Sequence, residues 1–259
     1  MVGVFTHPDD PREVRWFRSV AERAQAAGLP FLTPDRLPPP EWLPRFQEEF
    51  RPDLIFSFYY RRMISTTLLN TARLGAFNMH GSLLPKYRGK APVNWAVLRG
   101  ETRTGATLHH MVQEPDAGDI VDQEAVSIGP RDRAIEVMDR VTAAAVTVLD
   151  RQLNALLNGT APRHPQNHAE STYFGGRRPE DGRIDWDQPT TDIFNLIRAV
   201  THPYPGAFAD VTGVGQLRIW WAEPTNACGA PGEVLSREPL IIATRDSALR
   251  LTEFEPIPS

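Results

Sequence analysis

With 259 residues, 41% of them hydrophobic and 23% charged, the chain can bury the core of one large domain or of a medium and a small one, which excludes a disordered polymer. A formal net charge of −4 argues against general attraction to nucleic-acid backbones, so no nucleic-acid partner is expected. One cysteine, Cys228, rules out an intramolecular disulfide and fits a cytoplasmic location. No apolar run approaches about 18 residues, so neither a membrane span nor a secretory signal is expected.

Val2–Thr6 is a short apolar run broken by His7-Pro8-Asp9-Asp10-Pro11 and reads as a strand entering a loop. The Ala- and Arg-rich spacing from Val14 to Ala27 predicts a helix stopped by Gly28 and Pro30. Pro38–Pro40 is a loop before a short helix around Trp42–Phe50, and Leu54–Tyr60 (L-I-F-S-F-Y-Y) is a strand. A short helix follows, with Ser65 as its cap and Gly75 at its end. Ala76–Met79 is another strand, and its exit carries His80-Gly81-Ser82. Thr107–Val112 and Ile120–Ile128 form a strand pair across the Pro115–Gly118 turn. Ile135, Met138, Val141, Ala145, Val148, Leu149 and Leu156 keep to one face of a long helix that Gly159 ends.

This alternation predicts an α/β domain over residues 1–160 with a mainly parallel sheet. Residues 161–182 are polar and rich in Pro, Gly, His and Arg, which reads as a linker or ordered loop. After a helix at Thr191–Val200, short strand-like runs dominate: Ala207–Val211, Gln216–Trp221, Gly232–Leu235, Leu240–Ala243 and Ala248–Phe254. Residues 183–259 are therefore expected to form a small β-barrel-like domain, with Trp220 and Trp221 in its core or interface.

Familiar nucleotide signatures are absent: no G-x-G-x-x-G follows a strand, and Gly89-Lys90-Ala91 lacks the Ser or Thr of a P-loop. His, Cys and acidic residues do not fall at structural-zinc spacing, and His109 and His110 point to opposite faces of a strand, so no metal is expected. Asn78 and His80 share one face at a strand exit, where α/β proteins place ligands. An amide donor beside an imidazole suits acyl-type transfer, in which a carbonyl becomes an oxyanion and an amine loses a proton. Asp116, on the turn P-D-A-G, can orient or charge that imidazole. From the residues alone the commoner alternatives stay open: turn formation by Asn78 and Asp116, and a surface-loop place for His80. Lys86, Arg88 and Lys90 make a basic loop that could meet a diphosphate or simply be solvated.

F-N-M-H-G-S-L-L-P-K-Y-R-G-K-A-P-V-N-W (Phe77–Trp95), G-E-T-R-T-G-A-T-L-H-H-M (Gly100–Met111) and P-D-A-G-D-I (Pro115–Ile120) resemble the folate-dependent formyltransferases. Within that group, Ile55–Ile64, Leu84–Gly89 and Tyr173–Gly175 look most like the formyltransferase domains that act on UDP-4-amino-4-deoxy-L-arabinose. The resemblance implies a Rossmann-like N-terminal domain, a barrel-like C-terminal domain, and 10-formyltetrahydrofolate as co-substrate. It assigns Asn78 to the formyl oxygen, His80 to acid–base work at the same carbon, and Asp116 to holding His80 or collecting the amine proton. It places Arg62, Met63 and Ile64 in the pterin pocket, with Val112, Gln113, Glu114, Pro115 and Asp116 as a second folate-contacting segment. Lys90 stands where the family commonly has arginine, so a bidentate contact becomes a point charge.

The partner implied is a small-molecule amino-sugar nucleotide, and homodimer formation is left open. Two alternatives share the motifs: a methionyl-tRNA formyltransferase, which needs a basic face, and a folate-binding chain without turnover. By resemblance the first residues match the family's second strand, so a first strand and helix, about 25 residues at the usual length of such a unit, are expected to be missing. That expectation places a gap between the strands at Val2–Thr6 and Leu54–Phe58, with reduced stability and weak folate binding.

Overall fold

The computed structural model describes residues 1–8, 17–34 and 43–258. The expected loop at Pro38–Pro40, and the start of the helix expected from Val14, lie outside them.

The chain divides into two compact units, each drawing on several stretches. The first comprises Met1–Arg88, Gly105–Glu124 and Ala144–Thr172. It opens with β1 (Val4–Phe5), α1 (Val20–Ala26) and β2 (Phe31–Leu32), and β1 and β2 pair in parallel. Ser19 caps α1, its hydroxyl accepting from the Glu22 N–H at 3.2 Å, a contact typically worth about 1 kcal/mol. Next come α2 (Leu43–Arg45), which widens into a π turn at Phe46–Phe50, then β3 (Leu54–Phe58) and α3 (Thr66–Leu69). Ser65 caps α3 as expected, accepting from Leu68 N–H at 3.3 Å.

β4 (Gly75–His80) lies beside β3, and beyond it come β6 (Arg103–His110) and β7 (Ile120–Ser127), in the order β3-β4-β6-β7. β4 pairs in parallel with β3 but antiparallel with β6. The sheet is therefore mixed rather than mainly parallel, since β6 runs against β4 while β3 runs with it. β1 and β3 belong to different sheets among the described residues. One face of β4 is core: Phe77 and Met79 are buried, as are Leu108 and Val121 on the neighbouring strands. Each such side chain removes enough apolar surface to stabilise the fold by about 1.5–3 kcal/mol.

The long helix α5 (Ala134–Leu157) is the one the periodicity announced, although its buried line is rotated slightly. Val141, Val148 and Leu156 are buried as expected, and Ala134, Val137 and Ala144 join them. The end of α5 in the first unit is tied to β7, where Arg151 reaches Asp122 at 2.6 Å and Glu124 at 2.9 Å.

The second unit comprises Gly89–Thr104, Ala125–Ala143 and Tyr173–Ser259. β5 (Arg88–Gly89) pairs with β8 (Tyr173–Phe174) where the chain passes between units. Within the second unit lie α4 (Pro92–Leu98), α6 (Thr190–Val200) and β9 (Ala207–Val211). β10 (Gly215–Thr225), β11 (Val234–Arg237), β12 (Leu240–Ala243) and β13 (Ala248–Pro256) complete it. β9 to β13 form one antiparallel sheet in the order β11-β12-β13-β10-β9, and irregular register around Trp221 bends it into a barrel-like curl. Trp221 packs edge-on to Phe194 at 5.4 Å. Buried Arg198 donates to Asn195 and to the carbonyls of Val97, Gly129 and Asp132, stapling α6 to α4 and to the turn before α5.

Candidate active site

β4 presents Asn78 and His80 on the face opposite Phe77 and Met79. The antiparallel register sets Asn78 directly against His109 of β6, so a second imidazole shares that face. His110 turns away as expected, its ring 4.7 Å from Phe77.

The loop leaving β4 is fixed through Thr107, whose hydroxyl uses its full capacity. It donates to Ser82 O at 2.6 Å and accepts from Leu84 N–H at 3.2 Å and Gln123 Nε2 at 2.8 Å. Ser82 Oγ donates to Lys86 O at 2.7 Å. Tyr87 adopts φ +59°, its N–H donates to Thr172 Oγ1 at 2.8 Å, and its carbonyl lies 2.7 Å from His80 Nε2. A carbonyl only accepts, so Nε2 carries the proton and His80 Nδ1 is left as the basic nitrogen.

The turn that carries Asp116 is equally constrained. Asp116 sits at φ +56°, and a Cβ on Gly118 would fall 1.9 Å from His110 O, so only glycine allows the turn to lie this close to β6. Asp116 Oδ1 then stands 3.5 Å from His80 Nδ1, 3.5 Å from His109 Nε2 and 3.4 Å from Asn78 Nδ2. Asn78 Nδ2 is also 3.1 Å from His109 Nε2. Since His109 Nδ1 faces His110 O at 2.9 Å and donates there, its Nε2 accepts from Asn78. His80 is held below the ordinary histidine range, chiefly by burial; Asp116 and the Tyr87 carbonyl oppose that shift and His109 adds to it. The imidazole is therefore neutral near pH 7.

Asn78, His80 and Asp116, predicted from sequence as one group, thus converge on one point, and His109 joins them. Nothing in the strand alternation announced His109, because its place depends on register. The remaining candidates lie elsewhere. Arg62 and Met63 are exposed and Ile64 half-buried on the loop leaving β3, while Val112, Gln113, Glu114 and Pro115 are exposed on the loop leaving β6. Lys90 belongs to the second unit, where its N–H donates to Phe174 O at 2.9 Å. Arg88 does not fit the exposed basic loop expected of it: it is 4% exposed and bonded to Gln166 and His168. Among the described residues no group of three His, Cys, Asp or Glu is arranged to hold a metal ion, and no helix is long and apolar enough to cross a membrane.

Family models for the formyl transferase domain and the formyl transferase C-terminal domain match residues 1–153 and 177–257. The chain belongs to the formyl transferase family. Among solved structures, HypX from Aquifex aeolicus in complex with tetrahydrofolic acid superposes over 100% of this chain and 44% of its own, at 24% identity and a TM-score of 0.69. This formyl transferase thus spans less than half the length of HypX. An N-formyltransferase from Helicobacter canadensis, in complex with folinic acid and dTDP-3-aminofucose, covers 98% of this chain and 89% of its own at 21% identity and a TM-score of 0.76. A 4-N formyltransferase from Francisella tularensis covers 83% and 94% at 22% identity and a TM-score of 0.64. At these identities the likeness is one of fold.

Proposed function

We propose that this formyl transferase moves the formyl group of 10-formyltetrahydrofolate onto the primary amine of an amino-sugar nucleotide, UDP-4-amino-4-deoxy-L-arabinose or a close analogue. The observation that carries the reading is the convergence of an amide donor, Asn78, and a neutral imidazole, His80, from one strand face on the same carboxylate oxygen of Asp116, at 3.4 and 3.5 Å. The structural neighbours support the co-substrate and acceptor classes, since one was solved with tetrahydrofolic acid and another with folinic acid and an amino-sugar nucleotide.

In this reaction the neutral amine attacks the formyl carbon and the carbonyl oxygen gains negative charge. Asn78 supplies a donor to that oxygen. Its bond to Asp116 at 3.4 Å is the longer of its two and is the one that yields, while His109 holds the other N–H. His80 Nδ1 takes the proton the amine loses, its ring kept in the correct tautomer by Tyr87 O. When the carbon–N10 bond breaks, that proton returns to N10, giving the formamide and tetrahydrofolate. The balance requires neither a covalent enzyme intermediate nor an external water.

Purified protein with 10-formyltetrahydrofolate should formylate UDP-linked 4-amino sugars far better than methionyl-tRNA, read by tetrahydrofolate release and by the mass of the acceptor. Preference for the tRNA would reassign the acceptor. Folate binding with no transfer to any amine would identify a binding protein.

A further inference from the structure

We propose that Gln166 is a positioning residue, which holds the Asp116 turn in place and is itself held by the buried guanidinium of Arg88. Gln166 is buried, and its amide nitrogen donates to the carbonyls of Asp116 at 2.8 Å and Gly118 at 2.7 Å. Its Oε1 accepts from Arg88 Nη2 at 2.6 Å and more loosely from Nε at 3.3 Å. This settles which way the amide points. A flipped amide would set N–H groups against a guanidinium that only donates and an oxygen against two carbonyls that only accept.

Two features show that the strut does more than fill space. Asp116 is a non-glycine residue at φ +56°, a conformation that costs about 1 kcal/mol or more and persists only when its surroundings impose it. Gln166 grips the turn at that residue and again two residues later, so the carboxylate stays aimed at His80, His109 and Asn78. Arg88 is the second feature. It is buried, with Gln166 Oε1 at 2.6 Å and His168 Nδ1 at 3.2 Å, and the Glu114 carboxylate stands further off at 3.7 Å. An apolar side chain there would leave the buried Gln166 Oε1 without its donor. The guanidinium fixes the orientation of Gln166 instead.

The kinetic test rests on the formyl-transfer reading; the conformational test does not. Gln166→Met is expected to lower kcat about 10²-fold, the cost of an ångström-scale misplacement of a reacting group, with KM for the folate little changed. In an Asp116→Asn background the same substitution should change kcat by less than about threefold, because a strut acting through a carboxylate has nothing left to aim. Equal losses in both backgrounds would overturn the proposal in an enzyme that still transfers formyl groups. Should Gln166→Met fold poorly, Gln166→Glu keeps the contact to Arg88 while removing both N–H donors, and it should lose the same activity. Independently of turnover, the HN–Hα coupling of Asp116, which reports φ, should leave its wild-type value in either variant. An unchanged coupling would refute the strut even if the wild-type protein transfers nothing.

Discussion

His109 offers the sharpest test of how the site is held. Substituting His109→Leu removes the 3.1 Å contact that fixes Asn78 and the 2.9 Å bond to His110 O. One buried and one part-buried hydrogen bond are lost at roughly 1 kcal/mol each, and a buried carbonyl is left short of its donor, so a stability loss of about 2–4 kcal/mol is expected. The effect on turnover is separate. An oxyanion donor removed outright costs about 10²–10³ in kcat, and here the donor is present but free to rotate, so a loss nearer the lower end is expected. The measurement is kcat and folate KM beside the thermal midpoint, with His110→Leu as a comparison on the opposite face of the same strand. A large fall in midpoint with kcat unchanged would show that His109 serves the core alone and would refute the orienting role.

The remaining predictions concern the other three groups. Asn78→Ala, His80→Ala and Asp116→Ala should each lower kcat by about two orders of magnitude, and normal turnover in a folded His80 variant would refute the proton route. Because burial lowers the basicity of His80 and Asp116 opposes that, Asp116→Asn should move the acidic limb of kcat/KM to still lower pH; a limb that moves up would contradict the geometry. Stability follows the same sign. The unfolded chain protonates His80 first, near the ordinary value of about 6.5, so stability should decline as pH falls from there toward the lower folded value, and His80→Ala should flatten that slope.

Asn78 and His80 were legible from sequence because strand alternation is local: residues two apart on β4 share a face whatever surrounds them. Asp116 was legible as a turn former, but its meeting with His80 depends on where the turn folds back, which Gly118 permits and Gln166 enforces. His109 was visible as a strand residue and invisible as a neighbour of Asn78, since one step of register would have brought a different residue of β6 opposite it. α4 has no counterpart among the sequence expectations; Pro92 opens it at the first helical position, where proline needs no N–H partner. Gln166 lies in the polar stretch read as a linker or ordered loop. Composition could not show the order given by the His164–Ile120 bridge, at 2.8 and 2.9 Å, and by the glutamine's own amide.

The two imidazoles are locked in opposite senses, and that difference bears on the proposed reaction. His80 gives its Nε2 proton to Tyr87 O and His109 gives its Nδ1 proton to His110 O, so each turns an unprotonated nitrogen toward Asp116. Around Asp116 Oδ1 there are thus two basic nitrogens, with Asn78 supplying the donors. His109 Nε2 is served by Asn78, whereas His80 Nδ1 and the carboxylate face each other across 3.5 Å, beyond hydrogen-bonding length, with no proton between them. A proton arriving there turns a mutual repulsion into a charge-assisted hydrogen bond, and the attacking amine is its source. The same proton must leave again for N10, so a strongly basic His80 would trap it. Burial weakens the imidazole and Asp116 strengthens it, which leaves His80 able both to accept the proton and to give it back.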